Sequence, residues 1–123
     1  GLDLTLRDVQ GRLKKSGLPW EISKSFEQSA PLGIFKSYDP DIINLQNLSF
    51  SCSVNKDIRQ RGNTCDMLFP IKSLICILSR LWVLRPGDII YTGTPSGVGP
   101  LESGDRVYIE SPVIGSFSWT LAS

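Results

Sequence analysis

Leu48, Phe50, Cys52 and Val54 alternate without interruption with Ser49, Ser51 and Ser53. Successive side chains of an extended chain point to opposite faces, so this run specifies a half-buried strand with one face on a core. Asn55, Lys56 and Asp57 supply a turn, and Ile58 to Asn63 returns as a second, more polar strand. The same alternation recurs around Val107 and Ile109 and again at Phe117, Trp119 and Leu121. Asp88 to Tyr91, after Arg85-Pro86-Gly87, reads as a further short apolar strand.

Two segments carry a helical period instead. Pro70 opens a helix whose Ile71, Leu74, Ile75, Leu78 and Leu81 form an apolar stripe suited to facing a core. Near the N-terminus, Leu2 to Gln10 reads as the end of a strand turning into a helix. Thr5 followed by Asp8 is a capping-box-like pair ahead of the apolar rhythm Leu6, Val9 and Leu13. Gly17 and Pro19 then close that helix in the expected order. Between them, Ser25 to Asn47 mixes Pro31, Gly33 and Pro40 with polar residues and reads as irregular. Loops of such length inside a compact domain are usually functional. Two helices and five to seven strands give an α+β fold, β-rich, with an antiparallel or mixed sheet.

Composition excludes several classes. The 123 residues form one domain at most, burying roughly two thirds of the unfolded surface if it folds alone. A net charge of +1 gives no electrostatic reason to expect nucleic acid or an anionic membrane. No apolar run is long enough to span a bilayer and no signal-peptide pattern is present, so no membrane association is expected. Cys52, Cys65 and Cys76 are odd in number and lack C-x-x-C spacing, which argues against a disulfide framework and a zinc site. A reducing, cytoplasmic compartment is the corresponding expectation. There is no histidine.

Taken singly, the polar residues are ambiguous. Asp3 sits beside a helix N-terminus, where amides and the dipole favour an anion; it suits a metal ligand or a capping carboxylate. Lys24 in a loop reads as a solvated side chain, and Arg7 and Gln10 fall on a helix's opening turns, where polar residues face water. The stretch TGTPSGVGP from Thr92 to Pro100 lacks the Lys-Ser/Thr ending of a P-loop and opens no evident helix. Its Thr92 and Thr94 hydroxyls and exposed amides suit a small carboxylate, or else it is a plain turn before a strand.

The order of segments is more specific than any one of them. LDLTLRDVQ, GLPWEISKSF, VNKDIRQRGNTCDM and RPGDIIYTGTPSGVGPLESGDRV together resemble the fumarylacetoacetate hydrolase family, in its small acylpyruvate hydrolase and oxaloacetate decarboxylase branch. The resemblance runs from Leu2 to the C-terminus, so residues 1–123 correspond to the C-terminal portion of that catalytic domain. It implies a β-rich mixed fold, usually dimeric, in which three carboxylates hold Mg²⁺ or Mn²⁺ and the metal chelates a small 2-oxo acid as an enolate develops. Asp3 matches one of the three ligands. Lys24 matches the active-site lysine, Gln10 a glutamine directed at the reacting group, Arg7 a supporting arginine, and Thr94 a threonine near the substrate carboxylate. Thr5, Asp66 and Gly93 match motif positions with structural roles.

The departures matter as much. The family's upstream Glu-x-Glu ligands and its His and Glu pair, which activates water, have no counterpart here, and Glu21, Glu27, Glu102 and Glu110 have no substitute spacing. One carboxylate is a poor divalent cage. Hydrolysis, which needs an attacking water, is expected to suffer more than decarboxylation or tautomerisation. At the hairpin the family's common Asn-Gly is Asn55-Lys56, costly if the turn demands a positive φ. Two function classes follow: part of a metal-dependent hydrolase or decarboxylase of acylpyruvates and 2-oxo dicarboxylates, working as a homodimer or with a missing N-terminal half, or a catalytically inert truncated remnant acting as a folding or dimerisation module. Little activity is expected of the chain alone.

Overall fold

The structure is a computed structural model that describes residues 1–122. They fall into two compact units, residues 1–33 and the chain from Ile34 onward.

In the first unit, alternate amides of an extended N-terminal segment donate to backbone carbonyls of residues 23–31: Leu2 to Pro31 at 3.0 Å, Leu4 to Ser29 at 2.8 Å and Leu6 to Ser23 at 3.0 Å. The last bond keeps Leu6 extended, so helix α1 starts one residue later and spans Arg7–Lys15. The capping box expected at Thr5 and Asp8 is therefore not made: the N-cap is Leu6, which has no side-chain cap bond. Asp8 instead faces Arg12 one turn on, at 3.4 Å. The end of the helix is as read. Gly17, at φ +64°, allows its amide to reach Lys14 O and that of Leu18 to reach Leu13 O, the paired closure that satisfies orphan carbonyls. A short helix α2, Glu21–Lys24, was not anticipated; it turns on Ser23, which is fully buried and whose hydroxyl donates to Trp20 O at 2.6 Å.

The second unit is built on one four-stranded sheet. β1 (Ser49–Val54) and β2 (Asp57–Asn63) form the expected hairpin, and β3 (Arg106–Ser111) and β4 (Gly115–Thr120) a second, in the order β2-β1-β3-β4. Every pairing is antiparallel, so the α+β reading holds and the sheet takes the antiparallel alternative. Register explains the alternation. Cys52 lies opposite Ile109 and Val54 opposite Val107, which in turn face Phe117 and Trp119. One face is thus apolar across three strands, and Cys52, Val54 and Val107 on it are buried, together with Ile43 from the long irregular segment.

The turn between β1 and β2 is a two-residue one with Asn55 at φ +50° and Lys56 at φ +81°, the mirror-image turn whose twist matches the strands. A lysine there is strained whereas glycine is not. Lys56→Gly is therefore expected to stabilise the fold by about 1 kcal/mol, read as a higher urea midpoint at unchanged slope. Asn55 tolerates the conformation and ties the turn to β3. Its Nδ2 donates to Asp105 Oδ1 at 2.6 Å, and its Oδ1 accepts the Arg106 amide at 3.0 Å.

The second oxygen of Asp105 accepts the Glu102 amide at 2.8 Å. That backbone bond first, and the Asn55 amide second, hold the Asp105 carboxyl below the usual carboxylate range. A depressed carboxyl stabilises the fold fully above its unfolded pKa and loses that contribution as pH falls through the folded value. Denaturation midpoints should accordingly fall from about pH 5 downward, and Asp105→Asn should flatten that fall.

Two further expectations are corrected. Asp88 to Tyr91 forms no strand ladder, leaving four strands among the described residues rather than five to seven. Arg85-Pro86-Gly87-Asp88 is a tight turn instead, with the Asp88 amide on Arg85 O at 3.0 Å, Asp88 Oδ2 accepting the Arg85 amide at 2.7 Å and Gly87 at φ +98°. An apolar run becomes a strand only when a neighbour pairs with it. Helix α3 (Ile71–Leu81) forms as read, its first amide capped by Gln46 Oε1 at 3.1 Å, but none of its residues is buried. The stripe expected to face a core is partly exposed, with Leu81 at 67% and the following Trp82 at 62%. Among the described residues no helix is long and apolar enough to cross a membrane.

Candidate functional site

Within the first unit the extended segment and α2 bring Asp3 and Lys24 together across 21 residues of sequence. Lys24 Nζ donates to Asp3 Oδ2 at 2.8 Å. The pair is partly open, Lys24 being half-buried and Asp3 exposed. On the first turn of α1, Arg7 Nη1 donates to Gln10 Oε1 at 3.1 Å, so these residues hold each other; the alternative partner Asp8 is taken by Arg12. Four residues singled out from sequence thus form two pairs in this unit, and Thr94 lies in the other.

Thr94 belongs to an irregular loop that is clamped along β2 from three directions. Gln60 Nε2 donates to Thr94 Oγ1 at 2.9 Å and to Pro95 O at 3.0 Å. A Cβ on Gly97 would lie 1.9 Å from Arg59 O, and one on Gly62 would lie 2.8 Å from the Phe50 ring and 3.1 Å from Pro95. At Gly97 only glycine permits the approach, because the obstacle is backbone; at Gly62 the Phe50 ring would have to shift. The strand is irregular at this place: Cys52 faces Gln60 while Ser53 faces Ile58, leaving Arg59 as an extra residue, and bulges of this kind re-aim neighbouring groups. The loop and the strand together line an open cleft of about 530 Å³ with Arg61, Thr64, Phe69, Thr92 and Thr94 on its wall. Thr92 and Thr94 are both exposed on this loop, which opens no helix.

Gln60 was not picked out from the sequence. Its signal is a polar residue directly opposite the buried Cys52, which becomes legible only once the register is known. Burial pushes the Cys52 thiol up, and desolvation followed by the Asp66 charge pushes Cys65 up, so neither is a ready thiolate. All three cysteines are free.

Among the described residues no group of three acidic, histidine or cysteine side chains converges as a metal site requires. Asp3 offers a lone carboxylate with an ammonium already on one oxygen. Mg²⁺ and Mn²⁺ prefer six or so oxygen ligands, only some of them water, so these residues do not by themselves hold such an ion.

The sequence model of the family described as fumarylacetoacetate (FAA) hydrolase C-terminal matches residues 1–122. Oxaloacetate tautomerase YcgM of Escherichia coli K12 is 49% identical over 108 residues, 88% of this chain and 49% of the relative. The human mitochondrial oxaloacetate tautomerase FAHD1 is 44% identical over 121 residues, 97% of this chain and 52% of the relative. The fumarylpyruvate hydrolase of Pseudomonas aeruginosa, solved in complex with Mn²⁺ and pyruvate, superposes with a TM-score of 0.87 at 36% identity, covering 98% of this chain and 51% of that one. The chain spans about half the length of the curated relatives it matches. With four sequence blocks in order, the superposition on a solved relative and the family match running through residue 122, the chain belongs to the fumarylacetoacetate hydrolase family, over its C-terminal domain.

Proposed function

We propose that the protein containing these residues catalyses enolisation of small 2-oxo dicarboxylic acids, with keto–enol tautomerisation of oxaloacetate as its reaction. The observation that carries the reading is the Lys24–Asp3 pair: an ammonium held at 2.8 Å on a carboxylate yet open to solvent. Enolisation moves negative charge onto the keto oxygen, and a fixed ammonium stabilises charge that develops there. Asp3 fixes Lys24 by accepting its hydrogen bond. In the second unit the Thr94 hydroxyl, on the wall of its own cleft, is a donor suited to a carboxylate of such an acid. Arg7 supplies a positive field whose orientation Gln10 maintains through their 3.1 Å bond, and Gln10 in turn presents its amide nitrogen to the reacting group.

The same enolate is common to decarboxylation and acylpyruvate cleavage, the other reactions of the family branch. Hydrolysis needs in addition an attacking water and the base that activates it, which these residues do not supply; tautomerisation needs no attacking water, its C3 proton passing to solvent base and a solvent proton returning to the enolate oxygen. The names of several relatives support that order of preference. A divalent ion, Mg²⁺ or Mn²⁺, belongs to this reading, with Asp3 as one oxygen donor and the remaining donors outside the described residues. Association as a homodimer, or with further sequence of a longer polypeptide, belongs to it as well, since the consecutive Leu81, Trp82 and Val83 are all more than half exposed and contiguous exposed apolar surface marks interaction sites.

Exchange of the oxaloacetate C3 hydrogens for deuterium, followed by proton NMR with the intact protein, tests the proposal. Exchange faster than buffer, lost on chelation and restored by Mn²⁺ or Mg²⁺, is the expected result. A folded, metal-supplied protein that leaves exchange at the buffer rate would exclude enolisation as its function.

A further inference from the structure

The amide of Gln60 determines which way the Thr94 hydroxyl can donate. Gln60 Nε2 has two hydrogens, one on Thr94 Oγ1 at 2.9 Å and the other on Pro95 O at 3.0 Å. A backbone carbonyl only accepts, so the group facing Pro95 must be the NH₂ and not the oxygen of the amide. The same nitrogen therefore donates to Thr94. A hydroxyl has one hydrogen and two lone pairs. With one lone pair engaged by Gln60, Thr94 keeps its hydrogen for an acceptor in the cleft it lines.

We infer that Gln60 is a positioning residue that fixes the Thr94 hydroxyl as a donor, and so selects an acceptor-only ligand group, a carboxylate, at that place in the cleft. The inference rests on the reading of Thr94 as the residue that meets the substrate carboxylate. Gln60 does so from a rigid base. It is half-buried on β2, beside the extra residue Arg59, and Gly97 and Gly62 hold the loop at the distance its amide spans. Without Gln60 the hydroxyl rotates freely and is as ready to accept as to donate. A ligand carboxylate then loses a charge-assisted bond, the stronger kind of hydrogen bond.

Steady-state kinetics on oxaloacetate and calorimetric titration with pyruvate in the presence of Mn²⁺, both on the intact protein, test this. Thr94→Val is expected to raise KM and the pyruvate Kd about tenfold, with kcat little changed because the carboxylate does not react. Gln60→Leu should do the same, and the double variant should be no worse than Thr94→Val alone, because Gln60 acts through Thr94. Gln60→Glu distinguishes positioning from packing. The introduced carboxylate accepts the Thr94 hydrogen at neutral pH and weakens pyruvate binding at least as much; once protonated it donates again, so affinity should recover as pH falls, whereas Gln60→Leu titrated alongside should show no recovery. If Gln60→Leu proves unfolded by thermal melting, the pH recovery of Gln60→Glu decides alone. Loss of affinity in Thr94→Val with wild-type affinity in both Gln60 variants would overturn the positioning role and leave Thr94 as the carboxylate contact. Wild-type affinity in Thr94→Val would overturn both.

Discussion

Lys24→Met is expected to lower kcat for oxaloacetate tautomerisation by about a hundredfold or more while the melting temperature barely moves. The two parts of that expectation have different origins. As a structural contact, the ion pair with Asp3 is weak: both side chains are between a third and half exposed, at 35% and 42%, and such pairs contribute about 0–1 kcal/mol because water screens them. As an electrostatic device, an ammonium held in place where a keto oxygen becomes an enolate needs no reorganisation during the reaction, and removing one such group costs far more in the transition state than in the ground state. Methionine keeps the length and apolar stem of lysine, so packing is retained. Stopped-flow or steady-state rates beside a thermal melt separate the terms. A parallel loss of rate and stability would mean that Lys24 is structural.

Gly97→Ala is expected to destabilise the second unit by roughly 2 kcal/mol or more and to abolish pyruvate binding at the cleft with it. Two penalties add at this position. The residue has φ +98°, which an L side chain rarely adopts, and its Cβ would fall 1.9 Å from the carbonyl oxygen of Arg59. That obstacle is backbone on a strand, which cannot rotate away as a side chain does. Relief requires the loop to lift off β2, which breaks the reach of Gln60 to Thr94 and Pro95. Gly104→Ala is the control: its φ is +85° but no atom lies within 4 Å of the added carbon, so it should cost only about 1 kcal/mol and leave the cleft alone. Urea denaturation of the two variants compares them directly, and equal costs would show that the close approach to Arg59 is unimportant.

These residues also show how far the sequence carries. Period-two alternation located β1, β3 and β4, because each presents an apolar set to one face of a sheet closed by its own neighbours. The glycine and proline after α1, and Pro70 before α3, marked helix ends because those residues act through their own backbone geometry. Failures arose where the outcome depended on a distant partner. Thr5 looks like a cap, but an amide bond from Leu6 to Ser23 O moved the start of the helix. Asp88 to Tyr91 has strand composition, but a strand needs a neighbouring ladder. The stripe on α3 is present while its burial is not. Asp3, Lys24, Arg7, Gln10 and Thr94 stood out only through the resemblance of ordered blocks, since no local period distinguishes such residues from solvated ones; the pairing of Lys24 with Asp3 and of Arg7 with Gln10 was not legible in any local pattern. Gln60 was invisible for the opposite reason: its role depends on strand register and on a loop that begins 32 residues later, at Thr92.

The central claim, that these residues belong to an enolising enzyme of 2-oxo dicarboxylic acids, is tested most directly by following the ultraviolet absorbance of freshly dissolved enol oxaloacetate as it relaxes to the keto form. With the intact protein and Mn²⁺ or Mg²⁺, the relaxation should accelerate in proportion to protein concentration and return to the buffer rate in Lys24→Met. A folded, metal-supplied protein that leaves the relaxation at the buffer rate would contradict the account.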